Sequence, residues 1–190
     1  LLPHIAIFCA QIGELEAYIE NLLRQEQEII DRLDDTPGIN RRIAEIVIAE
    51  AGTHMNRFPN QYHFASWIGL CPGQNESAGK RKSGKTRKGN RALRCALVEA
   101  AHGAVRKKDS YYGAQYRRIA VRRGKKRALV AVAHSMAIAI YHMLKSKTAY
   151  RELGANFFDT INPVKALNRL TKRIESLGYH VSVSLADMAV

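Results

Sequence analysis

Leu33-Asp34-Asp35-Thr36-Pro37-Gly38-Ile39-Asn40-Arg41-Arg42 separates two kinds of pattern in this chain. Pro and Gly are turn residues and Asp and Thr cap helix ends, so one helix should stop here and another begin. Before the turn, apolar residues recur alternately three and four apart at Ile5, Phe8, Ile12, Leu15, Ile19, Leu22, Ile29 and Leu33, with Glu26 as the one break. That is a heptad seam on a long helix. A helix laid against its own domain and a coiled coil between chains satisfy the seam equally well; Ile at one seam position and Leu at the other favours two strands. After the turn the helical period resumes over Ile39 to Gly52, through Ile43, Ile46, Val47 and Ala51.

The same turn resembles a helix-hairpin-helix spanning residues 34–52, whose amides and following helix N-terminus meet a phosphate. Gly38, Asn40, Arg41 and Arg42 are its candidate contacts. Asn40 stands where such hairpins carry a second Gly, and Asn tolerates positive φ. An ordinary helix-turn-helix packing unit fits the residues too; the two arginines favour backbone contact with DNA.

Working outward, Phe58-Pro59-Asn60 breaks the chain ahead of a short helix, Gln61 to Leu70, burying Phe64, Trp67 and Ile68. Cys71 to Gly89 has no period and reads as a functional loop. Asn90 should cap a helix with Leu93, Leu97, Ala100 and Ala104 on one face, closing at Arg106-Lys107-Lys108. Ser110 should cap a shorter helix holding Tyr112, Tyr116 and Ile119, and Gly124 should separate it from an apolar core helix starting near Lys125. Asn162-Pro163 opens an amphipathic helix, Val164 to Leu177, before an alternating stretch, Tyr179 to Leu185, that reads as a strand. The expected fold is mainly α. A long coiled-coil-like helix (1–33) precedes a compact helical domain (34–160) with the hairpin and a basic Gly/Ser loop, and a C-terminal helix and short strand follow (161–190).

The 190 residues are 46% hydrophobic, enough for a packed core. Thirty Lys and Arg against seventeen Asp and Glu give a net charge of +13, which suits a polyanionic partner better than a neutral metabolite. The acidic residues concentrate before Asp35, so the basic excess falls on the remainder. Cys9, Cys71 and Cys95 form no CxxC pair, which argues against a disulfide framework or cysteine zinc site and suits a reducing cytoplasm. The longest apolar run, Ala128 to Tyr141, is too short to cross a membrane, and no signal peptide is evident. The chain opens without Met inside an expected helix, which reads as a piece of a longer protein.

The most informative stretch runs from Pro72 to Arg91. Its small residues let a phosphodiester approach the backbone at Gly79, while Lys80, Arg81, Lys82, Lys85, Arg87, Lys88 and Arg91 can neutralise it. A serine here is placed to attack a phosphate, given a base or metal to activate it and cations to hold the developing charge. Ser77 and Ser83 both qualify, and a loop that grips phosphates without chemistry fits the composition as well. No carboxylates with metal-ligand spacing occur in the basic part, so no metal site is expected in this chain, and P-loop, HExxH and GxSxG are absent. His63, His102, His134 and His142 read as core or helix-packing residues. A second basic belt, Arg106 to Lys108 and Arg117 to Arg127, is either a solvated face or, with Tyr111, Tyr112 and Tyr116, a strand or RNA contact.

Several blocks taken together are familiar: Leu33 to Ile39, Phe64-Ala65-Ser66-Trp67-Ile68-Gly69-Leu70-Cys71-Pro72-Gly73, Glu76-Ser77-Ala78-Gly79-Lys80 and Lys88-Gly89-Asn90-Arg91. With Gly113 to Arg118, Arg123 to Arg127 and Tyr150 to Ala155, they resemble the C-terminal transposase domain of the DEDD/serine insertion-sequence family, which includes Piv-type DNA invertases and bridge-RNA-guided recombinases. The resemblance covers nearly the whole chain. It implies a DNA recombinase of a mobile element with a composite site: an N-terminal RuvC-like domain supplies Asp and Glu ligands for Mg²⁺, and Ser77 is the nucleophile that forms a phosphoserine link to DNA. It further implies DNA as partner, with or without a guide RNA, assembly into a dimer or tetramer through the N-terminal helix, no membrane, and a bacterial cytoplasmic, nucleoid-associated setting. The RuvC-like domain is not in this sequence, so the chain alone is expected to bind nucleic acid without cleaving it. The competing expectation is a non-catalytic helix-hairpin-helix binding module.

Overall fold

The computed structural model describes residues 2–73 and 75–184. It is mainly helical, in chain order α1 (Leu2–Leu22), α2 (Gln27–Asp34), α3 (Arg41–Ala51), α4 (Gln61–Ile68), a hairpin of β1 (Asn75–Ser77) and β2 (Lys80–Ser83), α5 (Arg91–Ala104), α6 (Tyr111–Arg123), α7 (Lys125–Ser146), α8 (Phe157–Ile161) and α9 (Pro163–Glu175).

The starts of these helices are written in single polar residues. The side chains of Asn40, Asn60, Asn90, Ser110 and Asn162 accept amides of the first turns of α3, α4, α5, α6 and α9, each cap contributing about 1 kcal/mol. Expected boundaries therefore hold within a residue or two. Asn90 also donates to the Glu50 carboxylate at 2.6 Å, tying the start of α5 to the end of α3.

The core forms around α7, which packs on α4, α5, α6 and α2. Val132, Met136, Ile140 and Tyr141 meet Phe64, Ile68, Leu93 and Leu97, all buried. The Tyr141 hydroxyl donates to the Phe58 carbonyl at 3.2 Å, so this buried polar group of the core is satisfied. By length and composition alone the 22 residues of α7 would span a membrane, but half of its apolar window is buried inside the fold, where it serves as the central helix. The expected apolar run was shorter because Lys125 to Arg127 and the last turn belong to the same helix.

Several expectations are corrected. The long N-terminal helix is not continuous to Leu33: α1 stops at Leu22, a 3₁₀ turn spans Arg24–Glu26, and α2 starts afresh. Glu26 puts a charged side chain at a seam position, and beyond it the helix turns a different face inward. Ile30 and Leu33 enter the core while Ile29 is only half-buried. On α1 the seam residues Ile5, Phe8, Ile12, Leu15 and Leu22 stay exposed.

The stretch 71–89 is not wholly aperiodic, since it contains the β1–β2 hairpin. No strand forms over Tyr179 to Ser184, and Leu185 lies outside the described residues. His63, His102 and His142 are exposed rather than packed, and His134 is half-buried. The belt tyrosines are packing residues: Tyr112 is buried, Tyr111 lies against Phe157 and Phe158, and Tyr116 packs on the core.

Candidate nucleic-acid interface

Two basic surfaces emerge, and the hairpin belongs to both. At its tip, Ser77 and Lys80 are opposed across a two-residue turn, Ala78 at φ 51° and Gly79 at φ 73°. Both central residues left-handed is the geometry that matches the twist of a tight hairpin. Ala78 bears a steric cost for it that Gly79 escapes, and backbone strain of this kind clusters at functional positions. The turn carries Ser77 and Lys80 outward, and both are exposed. Behind them the register pairs Glu76 with Arg81 and Asn75 with Ser83, across an irregularity between Asn75 and Glu76. The backbones of Arg81 and Lys82 lie on β2; their side chains fall outside the described residues.

The hairpin base is fixed to the core. Pro72 bridges to Thr86, the Gly73 amide donates to the Lys85 carbonyl at 3.0 Å, and the Asn90 amide donates to the Trp67 carbonyl at 3.1 Å. Arg94 from α5 reaches back to the Thr86 hydroxyl at 2.8 Å. A rigid root thus holds an exposed tip. Lys85, Arg87, Lys88 and Arg91 follow along the segment that leaves the hairpin and the first turn of α5, all exposed. Ser83, the other candidate nucleophile, is half-buried at the root, where it accepts the Lys85 amide at 3.2 Å and lines a cleft.

The expected contacts around the first turn are divided. Gly38 has φ 84°, and its Cα lies so close to α5 that a Cβ would stand 2.2 Å from the Ala100 carbonyl oxygen. Asn40 does not take positive φ: at −111° it is extended, and its side chain caps α3. A capping Asn needs no second glycine, which explains the departure from the hairpin pattern. Arg41 is engaged within the chain, with Glu45 at 3.1 Å, Gln27 at 3.2 Å and Glu20 at 3.5 Å. Arg42 is exposed.

One wall of the second surface, Arg123 to Arg127, belongs to the basic belt read from the sequence; its pairing with the hairpin root was not foreseen. An open cleft of about 970 Å³ lies between the hairpin root and the α6–α7 corner. Lys85 faces Arg123, Lys126 and Arg127 around it, with Gln115, His134 and Ser135 also on the lining. Partial burial holds the His134 imidazole below its usual range, so it is neutral at pH 7. The signal was present in Arg123-Gly124-Lys125-Lys126-Arg127, but only the fold brings that cluster opposite Lys85. Among the described residues no three His, Cys, Asp or Glu side chains come together as metal ligands.

The sequence is similar to known transposases. Residues 30–117 match the family model of the transposase IS116/IS110/IS902 family. A "Probable family 20 transposase" of Pseudomonas aeruginosa is 30% identical over 146 residues, covering 75% of this chain and 43% of that protein. A transposase for insertion sequence element IS1111A from Coxiella burnetii is 28% identical over 144 residues, covering 74% of this chain and 39% of that protein. The chain spans less than half the length of these curated relatives. Turn, hairpin, α5 and the start of α6 all fall inside the block, residues 30–117, over which the chain is similar to the transposase IS116/IS110/IS902 family.

Proposed function

We propose that this chain is the serine-bearing part of an insertion-sequence transposase, binding DNA along the basic hairpin and presenting the Ser77 hydroxyl to a phosphodiester. The observation that carries the reading is the placement of Ser77: exposed, one residue ahead of a strained left-handed turn, and opposite Lys80. A nucleophile needs an unobstructed line to phosphorus and a nearby cation for the charge growing on the phosphoryl oxygens. Lys80, with Arg81 and Lys82 next to it in sequence, supplies positive charge; Arg87, Lys88 and Arg91 continue the track toward α5. Arg42 and the start of α3 add a secondary backbone contact, while Arg41 orients α1 and Gly38 seats the turn.

Among the described residues no group of carboxylate, imidazole or thiol side chains fits a divalent metal. In this reading the carboxylates that hold Mg²⁺ belong to a RuvC-like part of a longer protein, α1 contributes to assembly into a dimer or tetramer, and DNA, with a guide RNA, is the partner in a bacterial cytoplasm.

In a full-length transposase carrying this segment, Ser77→Ala should abolish strand cleavage and exchange, leave DNA affinity within about twofold, and remove any covalent protein–DNA adduct. Retained exchange would sink the proposal and leave a non-catalytic binding module. The chain alone should bind DNA without Mg²⁺-dependent turnover.

A further inference from the structure

The Ser77 reading leaves the cleft at the hairpin root unused. Lys85 on one wall faces Arg123, Lys126 and Arg127 on the other, and among the described residues no Asp or Glu lines it. Like charges gathered around a concavity without counter-charge favour an anion between them. The N-terminus of α7 borders the same space. Gly124 offers no side-chain cap, so the first amides of this 22-residue helix are left to a ligand or water.

Two features narrow the anion's chemistry. Leu70, Pro72 and Val130 give the cleft an apolar side that phosphate alone has no use for. Gln115 adds an amide whose orientation is fixed by its neighbour. The Ser135 hydroxyl donates its single proton to the Ala131 carbonyl at 3.3 Å, so it accepts from Gln115 Nε2 at 2.7 Å. Gln115 Oε1 is then left buried without a partner. A buried acceptor in that state favours a ligand that brings an N–H. Phosphate charge, apolar area and an edge donor occur together in a nucleotide, and a duplex keeps its base faces stacked and its Watson–Crick edges paired. Only an unpaired nucleotide can offer all three to one concave site.

We infer that the cleft between the hairpin root and the α6–α7 corner binds an unpaired nucleotide of a single strand, its phosphate at Lys126, Arg127 and the start of α7 and its base on the apolar side beside Gln115. The inference rests on the nucleic-acid part of the proposed function and is independent of Ser77 chemistry.

The test is fluorescence anisotropy on the full chain with three probes: a short labelled DNA single strand, the same sequence as RNA, and the corresponding DNA duplex. Ala131→Phe fills the cleft while keeping every cation. Lys126→Gln combined with Arg127→Gln removes two of the cations instead; both residues are exposed, and the fold does not depend on them. Lys107→Gln with Lys108→Gln removes the same charge from exposed positions outside the cleft. Ala131→Phe and the Lys126/Arg127 pair should weaken single-strand binding by about tenfold and duplex binding by less than about threefold, whereas the Lys107/Lys108 pair should affect both probes alike and weakly. A loss on the DNA or the RNA strand supports the site and identifies which nucleic acid fills it. Equal effects from the two charge pairs, or duplex binding that falls as far as single-strand binding, overturns it. The assay reads binding alone, so failure of the nucleophile reading would not register in it.

Discussion

The turns at Gly38 and Gly79 both place a glycine at positive φ just ahead of basic residues, and both were expected to meet phosphate. Their surroundings differ completely. A Cβ on Gly38 would strike the α5 backbone, 2.2 Å from Ala100 O and 2.5 Å from Ala104 N, while Gly79 has nothing within 4 Å. The first turn holds two helices together, and the second holds a serine and a lysine out toward solvent. A glycine beside cations therefore does not by itself mark a phosphate site; what stands behind it decides.

The difference is sharpest in stability. Gly38→Ala combines a left-handed backbone with a clash against main-chain atoms that cannot move without shifting α5, and should cost about 3 kcal/mol or more. At this chain length that lowers Tm by roughly 6–12 °C. A loss under about 1 kcal/mol would mean that the α2–α3 turn is not seated on α5 as described. Next comes Asn90→Ala, which removes the α5 cap and leaves Glu50 without its 2.6 Å donor. About 1–2 kcal/mol should be lost, with DNA affinity changed only through the hairpin root.

How much of this was legible follows from what each residue does locally. Caps act on their own helix, so Asn90 and Ser110 could be read from position alone, and the core faces of α5 and α7 followed from their period. Gly38 and Arg41 could not be assigned, because what occupies them, α5 in one case and Glu20, Gln27 and Glu45 in the other, comes from elsewhere in the chain. The hairpin was missed for a different reason. Both of its strands are polar, so the alternation that signals a half-buried strand never appears. The break between α1 and α2 was visible as Glu26, but not its consequence, the rotation that buries Ile30. The cleft needed Lys85 and Arg127 on opposite walls, a juxtaposition only tertiary structure supplies.

His134 tests the cleft side of the molecule with a smaller effect. Partial burial lowers its pKa from the ordinary 6.5, so the folded state binds its proton less readily than the unfolded chain does. Its stabilising contribution is complete above pH 6.5 and should fade as pH drops through the folded value. The charged residues lining the same cleft are Lys85, Arg123, Lys126 and Arg127. Melting curves between about pH 7 and about pH 5 should lose more stability in the native chain than in His134→Gln; identical slopes would show that the imidazole is not desolvated.

The smallest effect on the global fold belongs to Gly79→Ala, the counterpart of the first substitution. With open space around the new methyl group, the cost is only that of a second non-glycine residue in a left-handed turn, about 1 kcal/mol, and it falls on a short hairpin rather than on the core. Tm should therefore move by no more than about 2–4 °C, while amide exchange at Lys80, whose strand pairing closes the turn, should quicken several-fold. In a full-length transposase the same change should slow strand exchange through misplacement of Ser77, without affecting melting as Gly38→Ala does. If Gly79→Ala instead unfolded the chain as Gly38→Ala is expected to, the hairpin tip would be part of the structural frame, and the contrast between a packed turn and a presenting turn would collapse.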